Sequence, residues 1–132
     1  MNRETLLEIR VQCREPMVVK GMNQDIVMIP FSGEAAGPKF RGTIADSAVD
    51  TQKIPKGGEA FLSARYLLQG RDSEGNDCQV FIENQGSAGS GFHPMIVTDS
   101  PALAEWETMP LTAELEGIAG GVLVRIVAGS GN

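Results

Sequence analysis

The stretch FLSARYLL (residues 61–68) decides the fold, because it places a permanent cation, Arg65, inside an otherwise apolar segment. Its alternate residues form two sets, Leu62, Ala64, Tyr66 and Leu68 on one side and Phe61, Ser63, Arg65 and Leu67 on the other. A period of two is typical of a β-strand with two different faces. The fold and the function both depend on which of these faces looks into the protein.

The same period recurs along the chain. In LLEIRVQC (6–13), one face carries Leu7, Ile9, Val11 and Cys13. Further strands are predicted at 25–31, 39–44, 49–53, 60–69, 78–84, 92–97, 111–117 and 121–127. Pro30 predicts an edge or a bulge at the far end of the 25–31 strand, because proline cannot donate to a sheet. The segment GEAAGP (33–38) is predicted to be a turn.

One short helix is predicted near residues 100–108, with Ser100 as its N-cap and Pro101 at its first position. No segment is long enough for the crossover helices of a parallel sheet. A single antiparallel sheet of eight or nine strands must close or split. The sequence therefore predicts an all-β fold, a closed antiparallel barrel of eight or nine strands in a single domain spanning residues 1–132, with a two-sheet sandwich as the alternative.

Composition excludes several classes of function. A formal net charge of −6 and dispersed basic residues argue against nucleic acid and anionic membranes as partners. The first 13 residues lack a signal peptide's apolar core, so a cytoplasmic protein with reduced thiols is expected. Two cysteines, Cys13 and Cys78, and one histidine fall short of a structural zinc site, and neither a metal nor another cofactor is predicted.

Four segments resemble a known family: GPKFRGTIADSAVD (37–50), ARYLL (64–68), VFIENQG (80–86) and EWETM (105–109). Their order and spacing are similar to those of domain-of-unknown-function family 3237, also called UPF 0311, across roughly residues 5 to 127. Ser47-Ala48 stands where the family usually has Gly-Gly, Thr51 replaces a tryptophan and Ser63 an acid. The resemblance implies a calycin-like barrel, related in shape to allene oxide cyclase. It implies no general activity, and it draws attention to Asp50, Arg65 and Asn84.

Symmetric turns predict which residues pair across the strands. They place Asp50 opposite Ser63, Asn84 beside Ser63, His93 beside Asn84 and Thr43 beside Asp50. These five polar residues then form one row across the sheet, with Arg65 diagonal to Asp50 on the same face. Two interpretations remain open. Either the polar row faces water and the apolar face of residues 62–68 is the core, or the polar row faces a ligand-binding lumen.

The lumen interpretation assigns roles. Asp50 and His93 are the candidate catalytic pair, because a histidine beside a carboxylate exchanges protons near neutral pH. Arg65 would bind a ligand carboxylate. Further candidate substrate-binding residues are Asn84, Ser63, Thr43 and Tyr66, although packing is the simpler role for Tyr66.

The function predicted on this interpretation is a barrel that binds a small carbonyl compound or organic acid, with possible cofactor-free isomerase, cyclase or lyase activity. The alternative is a non-catalytic binding or accessory subunit in which Arg65 and Asp50 form a structural ion pair. Homo-oligomerisation is expected in either case, because an exposed apolar strand face needs cover.

Overall fold

The structure, a computed structural model, describes residues 3–129. This part of the chain forms ten β-strands and one 3₁₀ helix, Pro101–Glu107, which lies between the eighth and ninth strands. The strands are β1 (Glu4–Cys13), β2 (Met17–Lys20), β3 (Gln24–Ala36), β4 (Phe40–Ile44), β5 (Val49–Pro55), β6 (Phe61–Asp72), β7 (Asp77–Ser87), β8 (Gly91–Thr98), β9 (Leu111–Ile118) and β10 (Gly121–Ala128).

One antiparallel sheet contains all ten strands and closes on itself, because β1 pairs with β10 on one side and with β3 on the other. β3 is 13 residues long, and each of its neighbours is interrupted: β2 and β1 follow one side, β5 and β4 the other. The ring therefore has eight strand positions. The predicted closed barrel with one short helix is confirmed. The structure has one strand more than the nine that the sequence predicts, because β2 has no predicted counterpart.

The sequence interpretation of β3 is wrong in two respects. The segment 33–38 is not a turn, because β3 continues through it to Ala36 and pairs with β1 and β4. Nor does Pro30 create an edge or bulge. It lies inside β3 where the neighbour changes, since pairing with β2 ends at Met28 and pairing with β1 begins at Phe31. The N–H that proline lacks therefore falls where this side of the ladder is already interrupted.

The two ends of the barrel differ. The turns at 21–23, 56–60, 88–90 and 119–120 lie together at one end, which we call the open end. The 3₁₀ helix covers the other end and inserts Leu103 and Trp106, which are 0% and 1% exposed, into the core. Burying two large side chains here closes that end against water.

Ser100 precedes the 3₁₀ helix as predicted, but its hydroxyl does not cap the helix. Instead it donates a 2.8 Å hydrogen bond to Oδ2 of buried Asp72. The other oxygen of Asp72 accepts the backbone N–H groups of Glu74 and Asn76. These hydrogen bonds lower the pKa of Asp72, and the bond from Ser100 has the largest effect. They also tie the β6–β7 turn to the helix.

The seam between β8 and β9 is the most weakly paired part of the ring. In the described chain a single residue pair, Phe92 and Ala113, joins these two strands. By contrast β6 and β7 are paired over ten consecutive residues, from Leu62–Gly86 to Arg71–Asp77. The 3₁₀ helix, which follows β8 in the chain, packs on β8.

The outer surface carries exposed apolar side chains. Met17, Val18 and Val19 of β2 are 61%, 50% and 63% exposed, and β2 pairs only with β3 among the described strands. Apolar edge strands of this kind readily pair with another chain. Homo-oligomerisation stays a prediction. No helix within residues 3–129 has the length and hydropathy needed to cross a bilayer.

Replacing Trp106 by alanine tests the closure of the barrel by the 3₁₀ helix. Because Trp106 is fully buried, we expect Trp106→Ala to lower the free energy of unfolding by about 3–5 kcal/mol. Urea denaturation followed by circular dichroism measures the change. The exposed neighbour Glu105→Ala is the control and should change stability little. A loss below about 1 kcal/mol for Trp106→Ala would show that the helix does not close the core.

Candidate functional site

The residues that pair across β5, β6, β7 and β8 differ by one position from the prediction. Asp50 lies opposite Ala64 rather than Ser63, and Asn84 lies opposite Ala64 and Pro94. The reason is the length of the turns. Between the last paired residues, the turns enclose residues 54–60, 72–76 and 88–90, an odd number in each case. A shift of one residue reverses which face a side chain shares with its neighbours.

The predicted polar row therefore divides between the two faces of the barrel wall. Ser63 lies in an outward-facing row with Thr51, Gln85 and His93. Thr43 is also exposed and does not neighbour Asp50, because β4 and β5 follow one another along the barrel instead of pairing. The structure thus keeps Ser63, His93 and Thr43 apart from Asp50 and Asn84.

Arg65 lies on the outer surface. Its Nε donates a 2.8 Å hydrogen bond to Oε2 of Glu83, its cross-strand neighbour, and its side chain is 66% exposed. An exposed ion pair of this kind contributes only about 0–1 kcal/mol. The predicted ion pair between Arg65 and Asp50 is wrong, because the two side chains point to opposite sides of the sheet.

His93 is exposed at the start of β8, and its ring Nε2 lies 3.2 Å from the carbonyl oxygen of Ser90. This contact holds the ring against the β7–β8 turn and away from the interior. The catalytic role predicted for His93 is not tested by its position alone and stays a prediction. Asp50, the carboxylate predicted to lie near His93, is on the opposite face of the sheet.

The inner face of the barrel carries residues from the two groups that the sequence analysis placed on opposite faces, the polar row and the apolar face of residues 62–68. Asp50 and Asn84 point inward together with the apolar face of the 61–68 stretch, where Tyr66 lies one layer deeper beside Phe31. They border a cavity of about 80 Å³ near the open end, several times the ~10–15 Å³ needed for one water molecule. The residues lining this cavity are Val11, Cys13, Ile29, Phe31, Asp50, Leu62, Ala64, Tyr66, Asn84, Phe92, Leu115, Val122 and Val124.

Three residues that line this cavity each carry a buried polar atom without a hydrogen-bond partner in the described protein: Oδ1 of Asp50, the hydroxyl of Tyr66 and Oδ1 of Asn84. Leaving a buried polar group unpaired costs about 1–3 kcal/mol. The other oxygen of Asp50 is bonded, since Oδ2 accepts a 3.0 Å hydrogen bond from Nε2 of Gln52. We call Asp50, Tyr66, Asn84 and the cavity the lumen site.

Burial alters the acidity of the groups around the lumen site. Desolvation raises the pKa of Asp50, and the hydrogen bond from Gln52 opposes this only in part. Burial also raises the pKa of Tyr66, so its hydroxyl stays protonated at neutral pH. The pKa of the Cys13 thiol is raised by burial first and by the charge of Asp50 second. The site thus contains one carboxyl group whose protonated form is favoured by its surroundings.

The sequence also contains signals for Cys13, which lines the cavity, and for Gln52, which donates a hydrogen bond to Asp50. Cys13 shares its alternation with Leu7, Ile9 and Val11, so the face that proves to be internal includes it. Gln52 follows Asp50 by two residues and therefore lies on the same side of β5. Within residues 3–129, no three His, Cys, Asp or Glu side chains are grouped to hold a metal ion.

The model of a protein family of unknown function, DUF3237, matches residues 2–91 of the chain. The chain belongs to this family. A UPF0311 protein of Clostridium acetobutylicum is 31% identical over 91 residues, which are 65% of this chain. The match spans about half, 54%, of that relative's length.

Solved structures share the barrel. A protein of unknown function from Clostridium acetobutylicum superposes with a TM-score of 0.83 at 22% identity, covering 98% of this chain and 97% of the other. A β-barrel-like protein from Acinetobacter baumannii gives a TM-score of 0.77 at 16% identity, with 96% and 94% covered. An enzyme from Penicillium herquei gives 0.77 at 16%, with 97% and 94% covered. At these identities the likeness shows the fold.

Asp50→Asn tests the electrostatic state of the lumen site. The folded protein holds Asp50 with a raised pKa, so ionisation destabilises the fold as pH rises from about 4, the ordinary aspartate pKa, through the folded value. Asn carries no charge, and we therefore expect Asp50→Asn to raise the free energy of unfolding at pH 7. The gain should vanish near pH 4 and below. Urea denaturation across this range measures it.

The exposed Asp46 offers a charge-matched control for this experiment, because Asp46→Asn removes the same charge from a surface loop. Because this side chain is exposed, Asp46→Asn should change the free energy of unfolding at pH 7 little. Destabilisation of Asp50→Asn at pH 7 would contradict a desolvated, poorly compensated carboxylate.

Tyr66→Phe tests the unpaired hydroxyl. The ring packs edge-to-face on Phe31, with centroids 5.3 Å apart, and phenylalanine preserves this contact. Because only an unpaired buried hydroxyl is removed, we expect the free energy of unfolding to stay constant or to rise by up to about 1–3 kcal/mol. Thermal and urea unfolding of the ligand-free protein measure this. A loss of more than about 1 kcal/mol would show that the hydroxyl has a stabilising partner.

Proposed function

We propose that the protein binds a small carbonyl compound in the lumen site and exchanges protons with it, as a cofactor-free isomerase, cyclase or lyase does. The observation that carries this proposal is the convergence of three unpaired polar groups on one apolar cavity. Groups kept at a cost to stability in a concave site are typical of binding and catalysis.

The roles follow from the chemistry of the three side chains. Tyr66 stays protonated and donates a hydrogen bond to the oxygen of a bound carbonyl. Asn84 Oδ1 accepts a hydrogen bond from a donor on the ligand. Asp50 moves the proton: as a carboxylate it removes a proton from one ligand atom, and the resulting acid returns a proton to another. The proton balance of such an isomerisation is zero, and the raised pKa of Asp50 makes its carboxylate a stronger base than an ordinary aspartate.

Two observations favour catalysis over ligand binding alone. The lumen site combines a titratable group of raised pKa with a donor and an acceptor, the pattern of general acid–base sites. In addition, a fungal barrel of the same fold is an enzyme, so the architecture is compatible with catalysis. Non-catalytic ligand binding is the second candidate, since the same cavity would serve it equally well.

Binding is measured first, with a panel of small ketones, enones and lactones. Cys13 borders the cavity and is exposed, whereas Cys78 is buried. A bound ligand should therefore slow modification of Cys13 by a thiol reagent and shift the NMR signal of the Ala64 methyl group. If no compound does either, the proposal fails.

Proton exchange is measured next, as incorporation of deuterium from D₂O into the bound compound. We expect Asp50→Asn to reduce incorporation by a factor of about 10²–10⁴ while binding persists. Asp46→Asn is the control. Tyr66→Phe should weaken binding without destabilising the protein, because it removes only the donor.

His93→Ala decides between the two predicted catalytic residues. Its exposed ring leads us to expect unchanged exchange. Loss of exchange in His93→Ala with full exchange in Asp50→Asn would overturn the lumen site as the catalytic centre. Binding without exchange in the wild type would favour the non-catalytic function.

A further inference from the structure

We propose that the lumen site selects uncharged ligands that carry both a hydrogen-bond acceptor and a donor, and that it rejects carboxylates and phosphates. This inference rests on the proposed function, since it specifies the ligand class of the same cavity. It replaces the organic acids that the sequence interpretation included, because those depended on Arg65 as a partner inside the barrel.

The residues of the described chain that line the cavity offer an anion no counter-charge. Among the described residues that line it, no lysine, arginine or histidine occurs, and Asp50 is the only carboxylate. A ligand anion entering this space would lose its hydration and meet no counter-charge. It would also meet Asp50, a group of like charge whenever that carboxyl is ionised. Both effects disfavour an anion, whereas an uncharged molecule meets no charge repulsion and loses less free energy on dehydration.

Arg65, the cation that the sequence interpretation placed near the ligand, lies on the outer surface of the barrel. Arg65 projects from the opposite side of β6 and is engaged by Glu83. Its neighbour across β5 on the outer surface is Val49, while the inward neighbours Asp50 and Ala64 lie on the other face. Moving the guanidinium into the cavity would require β6 to shift its pairing by one residue on both sides, which would also expel Tyr66.

The unpaired atoms define what the ligand must offer. The Tyr66 hydroxyl requires an acceptor, and Asn84 Oδ1 requires a donor. Oδ1 of Asp50 is satisfied by an acceptor when protonated and by a donor when ionised. Primary amides, hydroxyketones and similar neutral molecules supply both kinds of group. Apolar side chains form the remaining walls, so the rest of the ligand should be apolar.

The size of the cavity limits how much of the ligand is enclosed. About 80 Å³ accommodates a group of a few heavy atoms around the three polar side chains. A longer ligand must extend through the open end, past Leu115 and Phe92, which border the cavity there. Leu115 is 43% exposed, so the exit is apolar as well.

The test compares isosteric pairs that differ in charge: isobutyramide with isobutyrate, and benzamide with benzoate. Binding at pH 7 is followed by the shift of the Ala64 methyl signal, with exterior Val97 as an internal reference. We expect each amide to bind at least tenfold more tightly than its carboxylate. Carboxylates that shift Val97 but leave Ala64 unchanged would also support rejection by the lumen.

Asp50→Asn isolates the contribution of the internal charge. The variant should bind the carboxylates several-fold more tightly than the wild type does, which narrows the preference for amides. Asp46→Asn removes an equal charge from the surface and should leave the preference unchanged. An unchanged preference in Asp50→Asn would mean that desolvation alone rejects anions, and the assigned role of Asp50 in selection would be overturned.

Failure of the inference and failure of the proposed function give different results. If amide and carboxylate shift Ala64 with equal affinity, the selection for uncharged ligands is overturned while ligand binding in the lumen stands. If neither the amides nor the ketone panel shifts Ala64 or protects Cys13, the lumen site binds no ligand of this kind and both proposals fall.

Discussion

The pairing of Asp50 with Ala64, and of Ala64 with Asn84, is the constraint on which the rest of the site depends. It places a carboxyl group and an amide on the inner face of the barrel, next to a side chain small enough to leave space between them. It also places Arg65 on the outer face, where Glu83 neutralises it. A barrel with the same composition and the other register would enclose an ion pair and expose Tyr66.

The protein tolerates this arrangement because the remainder of the barrel is well packed. Leu7, Ile9, Leu68, Val80, Ile82 and Ile126 are completely buried. Leu103 and Trp106 close the end of the barrel away from the cavity. Stability from this core offsets the cost of unpaired polar atoms at the open end, the usual division between a stable scaffold and a strained site.

Much of the fold follows from the sequence. Alternation in LLEIRVQC and FLSARYLL, with glycine-rich turns between apolar segments, identifies most strands and the closed antiparallel architecture. The sequence also separates β4 from β5, predicted at 39–44 and 49–53, but it does not predict β2, whose only partner among the described strands is β3. The edge or bulge predicted at Pro30 follows from its local chemistry, whereas its effect is set by the neighbouring strands on either side.

The site was predictable only in part. Asp50, Asn84 and Tyr66 are all candidate residues in the sequence, but symmetric turns group Asp50 and Asn84 with Ser63, Arg65 and His93 and place Tyr66 on the opposite face. Turn length is decided by local hydrogen bonds and by glycines with positive φ, such as Gly75 and Gly91, with φ of 84° and 83°. One residue more or less in such a turn determines whether the residue beside Asn84 is His93 or Pro94.

The single residue pair between β8 and β9 has a consequence for how the barrel can adapt. Separating two strands costs less where few backbone hydrogen bonds join them, so we expect the wall to open first at this seam. Phe92 of that pair and Leu115, two residues beyond its partner, both border the cavity. A barrel of this topology could therefore widen its cavity by changes at this seam while the other seven junctions of the ring stay intact.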